Sequence, residues 1–569
     1  MVMLRAAWYI SILMLAGISC QGQLLIDGHR LVHDRWGGGR YLCAVPDDWF
    51  GTDHSALVTV DTAYTYRHLS NFTLDGIPIT ANGTTVTFAA MDGITPHRIT
   101  ADVWGGETLN MEILFTYLPL LEVTAPLSTE YQHGTFVLHH PDSAQALHLQ
   151  GRIKWRGRTT LGDNRHKRNF HIKLEDGQGQ KVDRKLLGMR DDNSWLLDGG
   201  QTDLSRIRNH VAHELWLDMA AKTYYADREP KARTGVRGEF IELLVNGQYE
   251  GIYTLSEAMD RKQLKLKKYE TDSTGRHVIH GQLWKAVTYG SGTTFTGVTD
   301  INNRSATWNG FETKYPELDE VSPTDYAILH EAVRFARYGY DYLWRRQAQD
   351  YYDLPVMRDY LILLHTLLAI DNTAKNIYWA VYDGQEDTKL TLAVWDLDCT
   401  VGQDWTNTPF RPQNRVGPEV NMKVGNNLLG RLHLLIDDFR QGVIDRYHAL
   451  RRGPLHTDSL IARYHTHIDR LIGCGAASRE SDRWSGDSDL GGHELDWEAE
   501  KAYIADWFTR RMRHLDITTF APAGIDDIVP DNHDMDSGDT YNLLGQKMLP
   551  GTLLPPGIYV RGGKKFVVH

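Results

Sequence analysis

The chain contains little cysteine and no long internal apolar segment. It has 4 cysteines among 569 residues, which is too few for a disulfide framework in a chain of this length. No internal stretch approaches the run of about 20 apolar residues that spans a bilayer, so we predict no transmembrane helix in the mature chain. An excess of basic residues is also absent: the chain has 61 Lys and Arg against 73 Asp and Glu, and its net charge of −12 argues against nucleic acid as a partner.

Several catalytic motifs are missing as well. None of the 26 histidines belongs to an H-E-x-x-H motif, and no Cys/His pair has the spacing of a zinc site. His465 and His467 lie two residues apart in helical sequence, so they should point to different helix faces and make a poor ligand pair. The absence of a G-x-S-x-G motif excludes the nucleophile elbow of α/β-hydrolases.

The most informative feature that is present is an aspartate–asparagine–aspartate pattern. Asp371 is followed five residues later by Asn376, then by an apolar segment, a polar stretch and a Val-Trp-Asp-Leu-Asp run that contains Asp396 and Asp398. This order is that of the metal-and-base cassette of protein-kinase-like phosphotransferases. In that cassette the first aspartate takes the proton of the substrate hydroxyl. The asparagine and the second aspartate hold magnesium, which prefers oxygen ligands.

The segment before Asp371 predicts a buried helix. Asp353 is a suitable N-cap, Pro355 falls in the first turn, and apolar residues recur at helical spacing as far as Ile370. Asp371 is therefore expected just past the end of this helix. In the alternative interpretation Asp371 is an ordinary turn residue and Asp396 caps the end of a strand.

Residues 1–20 are typical of a secretion signal, with Arg5 followed by a nearly continuous apolar segment. The sequence that ends at Cys20 resembles a loose bacterial lipobox, in which Cys20 would carry the lipid. Plain signal-peptidase cleavage is the alternative. We therefore expect an extracytoplasmic protein, located in the cell envelope, at the cell surface or in the medium. Membrane attachment is expected only through this N-terminal lipid.

The remaining chain divides into a β-rich part, a mixed part and a short tail. Residues 22–125 contain many Val, Thr and Tyr residues between glycine turns, and they predict a small β-sandwich-like domain with one strand at 25–32. Residues 126–520 predict an α+β domain. Residues 521–536, with five aspartates, look like a linker, and residues 537–569 look like a short β tail.

Within the α+β domain the order of elements is that of a divergent two-lobed protein kinase. We expect the N-lobe at about 126–257 and the C-lobe at about 258–520, around the Asp371 segment. The predicted N-lobe elements are strands at 148–155 and 169–174, an amphipathic helix at 203–220 and a hairpin with an Asn-Gly turn at 239–255.

Several motifs occur in the order in which one known family carries them. They are Arg156-Gly157, the run from Lys167 to Lys173, Arg206 to Asn209, the hairpin from Asn246 to Tyr253 with Glu257, Asp371 with Asn376, and Trp395 to Asp398. Together they resemble the CotH family of secreted, kinase-like spore-coat and surface proteins. The resemblance implies a divergent protein-kinase-like fold that binds ATP and magnesium, and it implies that some members phosphorylate proteins.

By this resemblance Asp371 is the catalytic aspartate and Asn376 is the metal-binding asparagine. Asp396 best matches the metal-binding aspartate, and Asp398 is the second choice or an additional ligand. The histidine–arginine pair that usually precedes the catalytic aspartate is replaced by Ala369-Ile370. This departure argues against regulation through contacts to a phosphorylated loop.

In the usual kinase arrangement a strand lysine grips the nucleotide phosphates and pairs with a helix glutamate. Lys173, with Lys167 as the alternative, and Glu214 are the candidates for this pair, although Glu214 also reads as an ordinary surface residue. Arg156 opens the loop that would cover the phosphates. A G-x-G-x-x-G loop is absent there, so backbone amides, threonines and Arg156 would bind the phosphates; an exposed basic loop is the alternative. Lys285 also matches family sequence, without an assigned role.

The C-terminal tail carries its own resemblance. Its Gly-Gln-Lys and Gly-Ile-Tyr-Val steps resemble the sorting-type tail of secreted Bacteroidetes proteins. This resemblance implies a Gram-negative envelope or cell-surface destination. An ordinary terminal β-hairpin is the alternative.

Taken together, these features predict an ATP-dependent kinase that uses Mg²⁺ or Mn²⁺ to phosphorylate secreted or surface proteins. One alternative is a non-catalytic surface binding module built on a kinase-like fold. Another is a transferase of a different group, such as a nucleotidyl group. The intact Asp371, Asn376 and Asp396 favour the kinase, whereas the scarcity of ATP outside the cytoplasm favours the binding module.

Overall fold

The computed structural model describes most of the chain between residues 24 and 568. The described residues are 24–60, 69–103, 106–157, 159–162, 164–403, 426–521, 540–542, 547–548, 554, 557–561 and 564–568. The predicted signal peptide with Cys20 and nearly all of the predicted linker lie outside them. Among the described residues, no helix combines the length and the apolarity needed to cross a bilayer.

The N-terminal part is β-rich, as the sequence predicts. Its strands are β1 (Leu24–Ile26), β2 (His29–Asp34), β3 (Arg40–Ala44), β4 (His54–Val60), β5 (Leu69–Leu74), β6 (Ile77–Pro78), β7 (Thr84–Phe88), β8 (His97–Val103) and β9 (Glu107–Thr116). They form one nine-stranded sheet in the order β6-β5-β8-β9-β3-β2-β1-β4-β7. Val86 and Ile99, from opposite halves of this sheet, share one apolar core. The two halves of the sheet, which share strand β2, therefore pack against each other across this core.

The prediction of a single strand at 25–32 is wrong. Asp27 and Gly28 both adopt positive φ, at 46° and 82°, and they form the turn of a tight hairpin between β1 and β2. The turn chemistry of the Asp-Gly pair thus overrides the strand pattern of its apolar neighbours.

The next part of the chain forms a closed β-barrel. Its strands are β10 (Leu120–Thr124), β11 (Gln132–His139), β12 (Leu147–Arg156), β13 (Asn169–Leu174), β16 (Ser194–Asp198), β17 (Gly238–Val245) and β18 (Gln248–Glu257), with the short pair β14 (Arg184–Lys185) and β15 (Asp191–Asp192) inserted between β13 and β16. Alternate residues such as Phe170 and Ile172 of β13 fill the barrel interior. The hairpin predicted at 239–255 is confirmed: Asn246 and Gly247 form its turn with φ of 51° and 76°.

A second sheet carries the segment after Asp371. It runs in the order β22 (Thr307–Trp308), β23 (Phe311–Tyr315), β21 (Gln282–Ala286), β24 (Ile377–Val381) and β25 (Thr391–Val394), and a small ladder of β19 (Glu270–Thr271) and β20 (His277–Val278) precedes it. Every residue of β24 and β25 is buried. The hairpin predicted between Asn376 and Asp396 is therefore present and sits inside the fold.

Helices complete the α+β architecture. They are α1 (Arg208–Met219), α2 (Arg261–Leu264), α3 (Ala327–Tyr338), α4 (Asp341–Tyr351), α5 (Leu354–Leu367), α6 (Asn427–Leu435), α7 (Asp437–Arg451), α8 (Thr457–Gly473), α9 (Ala476–Trp484) and α10 (Trp497–Ile517). Helix α5 is buried along most of its length, as the apolar spacing predicts. Four short strands follow in the tail: β26 (Thr540–Asn542), β27 (Lys547–Met548), β28 (Gly557–Arg561) and β29 (Lys564–Val568).

Helix α1 begins later than the predicted start at residue 203. The carboxylate of Asp203 accepts hydrogen bonds from the backbone N–H of Ser205 at 2.8 Å and from that of Arg208 at 2.8 Å. An aspartate side chain that satisfies nearby backbone donors competes with the helix. The residues between Asp203 and Arg208 therefore form a loop that leads into the helix.

The N-terminal sheet packs directly against the barrel. The backbone N–H of Arg35 donates to the carbonyl oxygen of Gly247 at 2.8 Å, and the backbone N–H of Tyr249 donates to the Asp34 carboxylate at 3.2 Å. Val32 and Leu244 belong to a small apolar cluster between the two units. The turn of the β17–β18 hairpin is thus the docking point of the N-terminal sheet.

A buried ionic network fixes the barrel to helix α9. Lys167 Nζ lies 2.5 Å from Glu480 Oε1, and Arg206 Nε lies 2.7 Å from the same oxygen. The other carboxylate oxygen accepts the backbone N–H of Ile252 at 2.6 Å. The three charged side chains are at most 1% exposed, so each depends on the others for compensation of its lost hydration.

We expect Glu480→Gln to lower the free energy of unfolding by about 3–5 kcal/mol, because it leaves two buried cations without their counter-charge. Urea denaturation of the full chain, followed by circular dichroism, measures this change. Glu498→Gln is the matched control, since Glu498 is 72% exposed and pairs with Lys501 only at 3.4 Å; its effect should stay within about 0.5 kcal/mol. Equal effects of the two substitutions would contradict a stabilising role of the network.

Candidate active site

The loop that carries Asp371 is fixed by the end of helix α5. Leu368 adopts a left-handed conformation with φ of 51° and terminates the helix. A 3₁₀ turn over Ile370–Asn372 follows and buries Asp371. The carbonyl oxygen of Asn372 accepts a hydrogen bond from the Tyr360 hydroxyl of α5. Asp371 therefore lies just past a buried helix, as predicted.

Asn372 ties this loop to the end of strand β25. Its side-chain amide donates to the carbonyl oxygen of Trp395 at 2.7 Å and, at 3.3 Å, to that of Asp396. Asn372 is fully buried. Sequence reasoning missed this residue, because its position directly after Asp371 gives no sign of a contact 23 residues further along the chain.

The structure brings Asp371 and Asn376 together. The amide nitrogen of Asn376 donates to Asp371 Oδ2 at 3.0 Å, and Lys375 Nζ lies 2.9 Å from the same oxygen. Burial raises the pKa of Asp371, while the hydrogen bonds from Lys375 and Asn376 oppose the shift. Asp371 is thus a buried carboxylate that two polar neighbours hold in place. This environment suits an acceptor of a substrate proton.

Asp396 and Asp398 follow β25 at the opposite side of this loop. Asp396 has a positive φ of 57°, and Asp398 Oδ1 accepts the backbone N–H of Cys399 at 2.8 Å. Burial raises the pKa of Asp398, and the negative charges of Asp396, Asp198 and Asp371 raise it further. Several carboxylates therefore share one electrostatic environment.

This donor set fits a divalent cation such as Mg²⁺. The groups are oxygen donors, and a cation would relieve their mutual repulsion. Among the described residues, the side-chain oxygens of Asp371, Asp396 and Asp398 do not all lie within 4.8 Å of one another. A group of three His, Cys, Asp or Glu side chains that does meet this distance is His210, Glu214 and His467. Magnesium commonly uses one or two carboxylates and completes its shell with water and substrate phosphates, so the spacing of the aspartates is compatible with such a site.

Asn209 of helix α1 connects the barrel to the aspartate segment. Its amide nitrogen donates to Asp198 Oδ2 at 2.6 Å, and its amide oxygen accepts the backbone N–H of Leu397 at 2.9 Å. Leu397 lies between Asp396 and Asp398. Asn209 therefore positions both aspartates relative to the end of β16, although the sequence motif around it gave it no role.

Two cations flank Trp395 in the cleft between the barrel and the second sheet. The Arg156 guanidinium and Lys285 Nζ each lie 5.5 Å from the centre of the Trp395 ring. Burial lowers the pKa of Lys285 to about 8, and the negative charge of Asp396 opposes this shift. Arg156, Asp198, Asn209, Trp395 and Asp396 line one cleft. Arg156 therefore lines this cleft, and Lys285 contacts the same Trp395 ring; that Arg156 binds phosphate stays a prediction.

The predicted ion pair between Lys173 and Glu214 is wrong. Glu214 Oε2 lies 2.7 Å from His467 Nε2 of helix α8, because Glu214 is on the face of α1 that packs against α8. Lys173 Nζ instead lies 5.2 Å from the centre of the Tyr131 ring. The alternative lysine, Lys167, forms a buried ion pair with Glu480 instead. Lys285 is a lysine that contacts the Trp395–Asp396 segment directly.

We expect Asp396→Asn to lower the pKa of Lys285 below about 8, because the substitution removes the negative charge that favours the ammonium form. The measurement is a pH titration by NMR of the full chain with ¹³C-methylated lysines. The Lys285 signal is assigned by its loss in Lys285→Arg. Asp387→Asn, at the far end of the β24–β25 hairpin, is the control and should leave this pKa unchanged. An unchanged pKa in Asp396→Asn would show that the two charges do not interact.

Comparison with known proteins places the chain in a family. A search of curated proteins gave no match to the chain. The family model described as CotH kinase protein matches residues 153–515, which is more than half of the 569 residues and includes the barrel strands from the end of β12 onward, the second sheet and the helices. Asp371, Asn376 and Asp396 lie within the matched region, and the chain belongs to the CotH kinase family.

Proposed function

We propose that this protein is a CotH-type protein kinase that transfers a phosphoryl group from ATP to protein hydroxyls with Mg²⁺ or Mn²⁺. The observation that carries the proposal is the contact between Asp371 and Asn376 beside the acidic Asp396–Asp398 segment. A buried carboxylate, an amide and further carboxylates close to one another are what phosphoryl transfer requires. Membership of a kinase-like family supports the same conclusion.

In the proposed reaction Asp371 is the general base. Its carboxylate accepts the proton of the attacking serine, threonine or tyrosine hydroxyl while the new oxygen–phosphorus bond forms at the γ-phosphorus. The bond between the γ-phosphorus and the bridging oxygen breaks, and ADP leaves. Lys375 and Asn376 hold the carboxylate in place through Oδ2. The raised pKa of Asp371 makes it a better proton acceptor than an exposed aspartate.

Asn376, Asp396 and Asp398 are the proposed metal-binding residues. When bound, Mg²⁺ or Mn²⁺ would neutralise phosphate charge. Asn372 and Asn209 hold the backbone on the two sides of this segment, so the ligand positions are set before any ion binds. Such preorganisation lowers the cost of ordering the ligands at the moment of binding.

Arg156 and Lys285 are the proposed phosphate-binding cations. Both flank Trp395 in the cleft, next to the proposed metal ligands. A phosphate would favour the ammonium form of Lys285, whose pKa of about 8 lies near neutrality, so nucleotide binding and protonation of this lysine should be coupled. Lys285 thus takes the place that the sequence assigned to Lys173.

The proposed substrate is a secreted or surface protein. The predicted signal peptide and the resemblance of the tail to sorting-type sequences support an extracytoplasmic location. The scarcity of ATP there implies that the donor comes from outside the cell, that a different phosphoryl donor is used, or that the reaction precedes export. Acylation of Cys20 remains part of this proposal as the predicted anchor.

The first test is binding of ATP to the full chain, measured by calorimetry with and without Mg²⁺ or Mn²⁺. We expect metal-dependent binding to the wild type, a loss of at least tenfold in affinity in Asp396→Asn, and no change in the control Asp387→Asn. Absence of metal-dependent nucleotide binding in folded wild-type protein would overturn the kinase proposal. It would instead favour a surface binding module on a kinase-like fold.

The second test separates chemistry from binding. Phosphoryl transfer is followed with [γ-³²P]ATP and dephosphorylated casein, together with autophosphorylation. Asp371→Asn should retain ATP binding but lose about 10²–10⁴-fold in rate, which is the usual contribution of a general base. Full activity of Asp371→Asn would exclude this residue as the base, and transfer of label from [α-³²P]ATP would indicate nucleotidyl transfer instead.

A further inference from the structure

Helices α1 and α8 meet at a cluster of two histidines and one glutamate, of which His210 also lines the cleft of Arg156 and Asp396. His210 Nε2 lies 3.3 Å from Glu214 Oε1, and His467 Nε2 lies 2.7 Å from Glu214 Oε2. The three ligand atoms all lie within 4.8 Å of one another. His210 and Glu214 are one turn apart on α1, so both project from the same helix face, and His467 approaches from α8.

The geometry of this cluster suits a tetrahedral metal ion. Bonds of about 2.0–2.2 Å from zinc to nitrogen and oxygen place neighbouring ligand atoms roughly 3.3 Å apart. The separation of 3.3 Å between His210 and Glu214 matches this spacing. The shorter contact joins His467 to the other carboxylate oxygen of Glu214, so zinc binding needs a rotation of this carboxylate, which is partly exposed.

Exposure of the three side chains leaves room for a fourth ligand. His210 is 5% exposed, His467 is 15% exposed and Glu214 is 35% exposed. The histidines therefore form a largely desolvated base, while the carboxylate faces water. Three protein ligands and one water molecule form a common zinc coordination shell.

We propose that His210, Glu214 and His467 bind one Zn²⁺ ion between α1 and α8, with water as the fourth ligand. The ligand set selects the class of ion. Imidazole nitrogens suit zinc and related transition metals, whereas magnesium and calcium prefer oxygen ligands. This site is therefore chemically distinct from the carboxylate and amide donors of the proposed kinase site, and a cation of one class does not replace the other.

Zinc at this position would fasten two helices that are far apart in sequence. His467 and Glu214 are separated by 253 residues. Asn209, which precedes His210, holds Leu397 and Asp198. The metal would stabilise the part of α1 that supports the aspartate segment. Arg463 lies 3.9 Å from Glu214 but forms its closer ion pair with Asp218, and zinc binding would leave that pair intact.

The test uses the full chain after removal of metal with a chelator, titrated with ZnCl₂ by calorimetry. We expect one Zn²⁺ per wild-type chain. His467→Gln and Glu214→Gln should each weaken binding by at least about tenfold, which is the lower end of the effect of losing even an outer-shell partner. His465→Gln is the matched control on the same helix, since His465 Nε2 contacts the carbonyl oxygen of Lys501 instead. Its zinc affinity should equal that of the wild type.

Two further measurements keep the proposal testable if a variant folds poorly. Co²⁺ in wild-type protein should give the intense visible absorption of a four-coordinate site, and ZnCl₂ should raise Tm in the wild type and in His465→Gln. Asp371→Asn should bind zinc like the wild type, so a failure of the kinase proposal leaves this one untouched. Absence of zinc binding in the wild type, or equal binding in both His467→Gln and Glu214→Gln, would overturn the assignment.

Discussion

The candidate active site depends on how the chain holds carboxylates close together in a partly desolvated cleft. Burial, together with repulsion by the neighbouring carboxylates, raises the pKa of Asp398. Asn209, Asn372 and Asn376 counter this repulsion with neutral amide groups, each of which donates to a carboxylate or to the backbone that carries one. An amide can also accept a backbone N–H, as Asn209 does. These bonds orient the acidic segment without neutralising it, which leaves its charge available for a cation.

Helix α1 contacts several parts of the protein that are far apart in sequence. Arg208 at its start pairs with Asp203 at 2.5 Å and also with Glu500 of α10, and all three side chains are almost fully buried. Asn209 faces the aspartate segment, and Glu214 faces α8. A single helix therefore joins the barrel, the candidate catalytic loop and the C-terminal helices. Glu214 of α1 does not pair with Lys173, and α1 is anchored by arginine, asparagine and histidine contacts instead.

Local structure was largely predictable, because it depends on residues close in sequence. Strand β13 and the Asn246-Gly247 hairpin follow from residue alternation and turn chemistry. The failures have the same local origin: the Asp27-Gly28 turn interrupts an apparently continuous strand, and Asp203 delays the start of α1. At both positions a short-range polar or backbone preference outweighs the hydrophobic pattern.

The sequence by itself singled out Asp371 and Asn376 as site residues, because their spacing and the segment around them match a known catalytic pattern. It also determined the α+β character and the family. Only the tertiary structure decided that Asn209 holds Leu397, 188 residues away, that Lys285 rather than Lys173 faces Trp395, and that Glu214 meets His467. The physical reason is that a polar side chain can form equally good bonds with many partners. Which partner it meets is set by the packing of the whole apolar core, and that packing is not encoded in the spacing of any single motif.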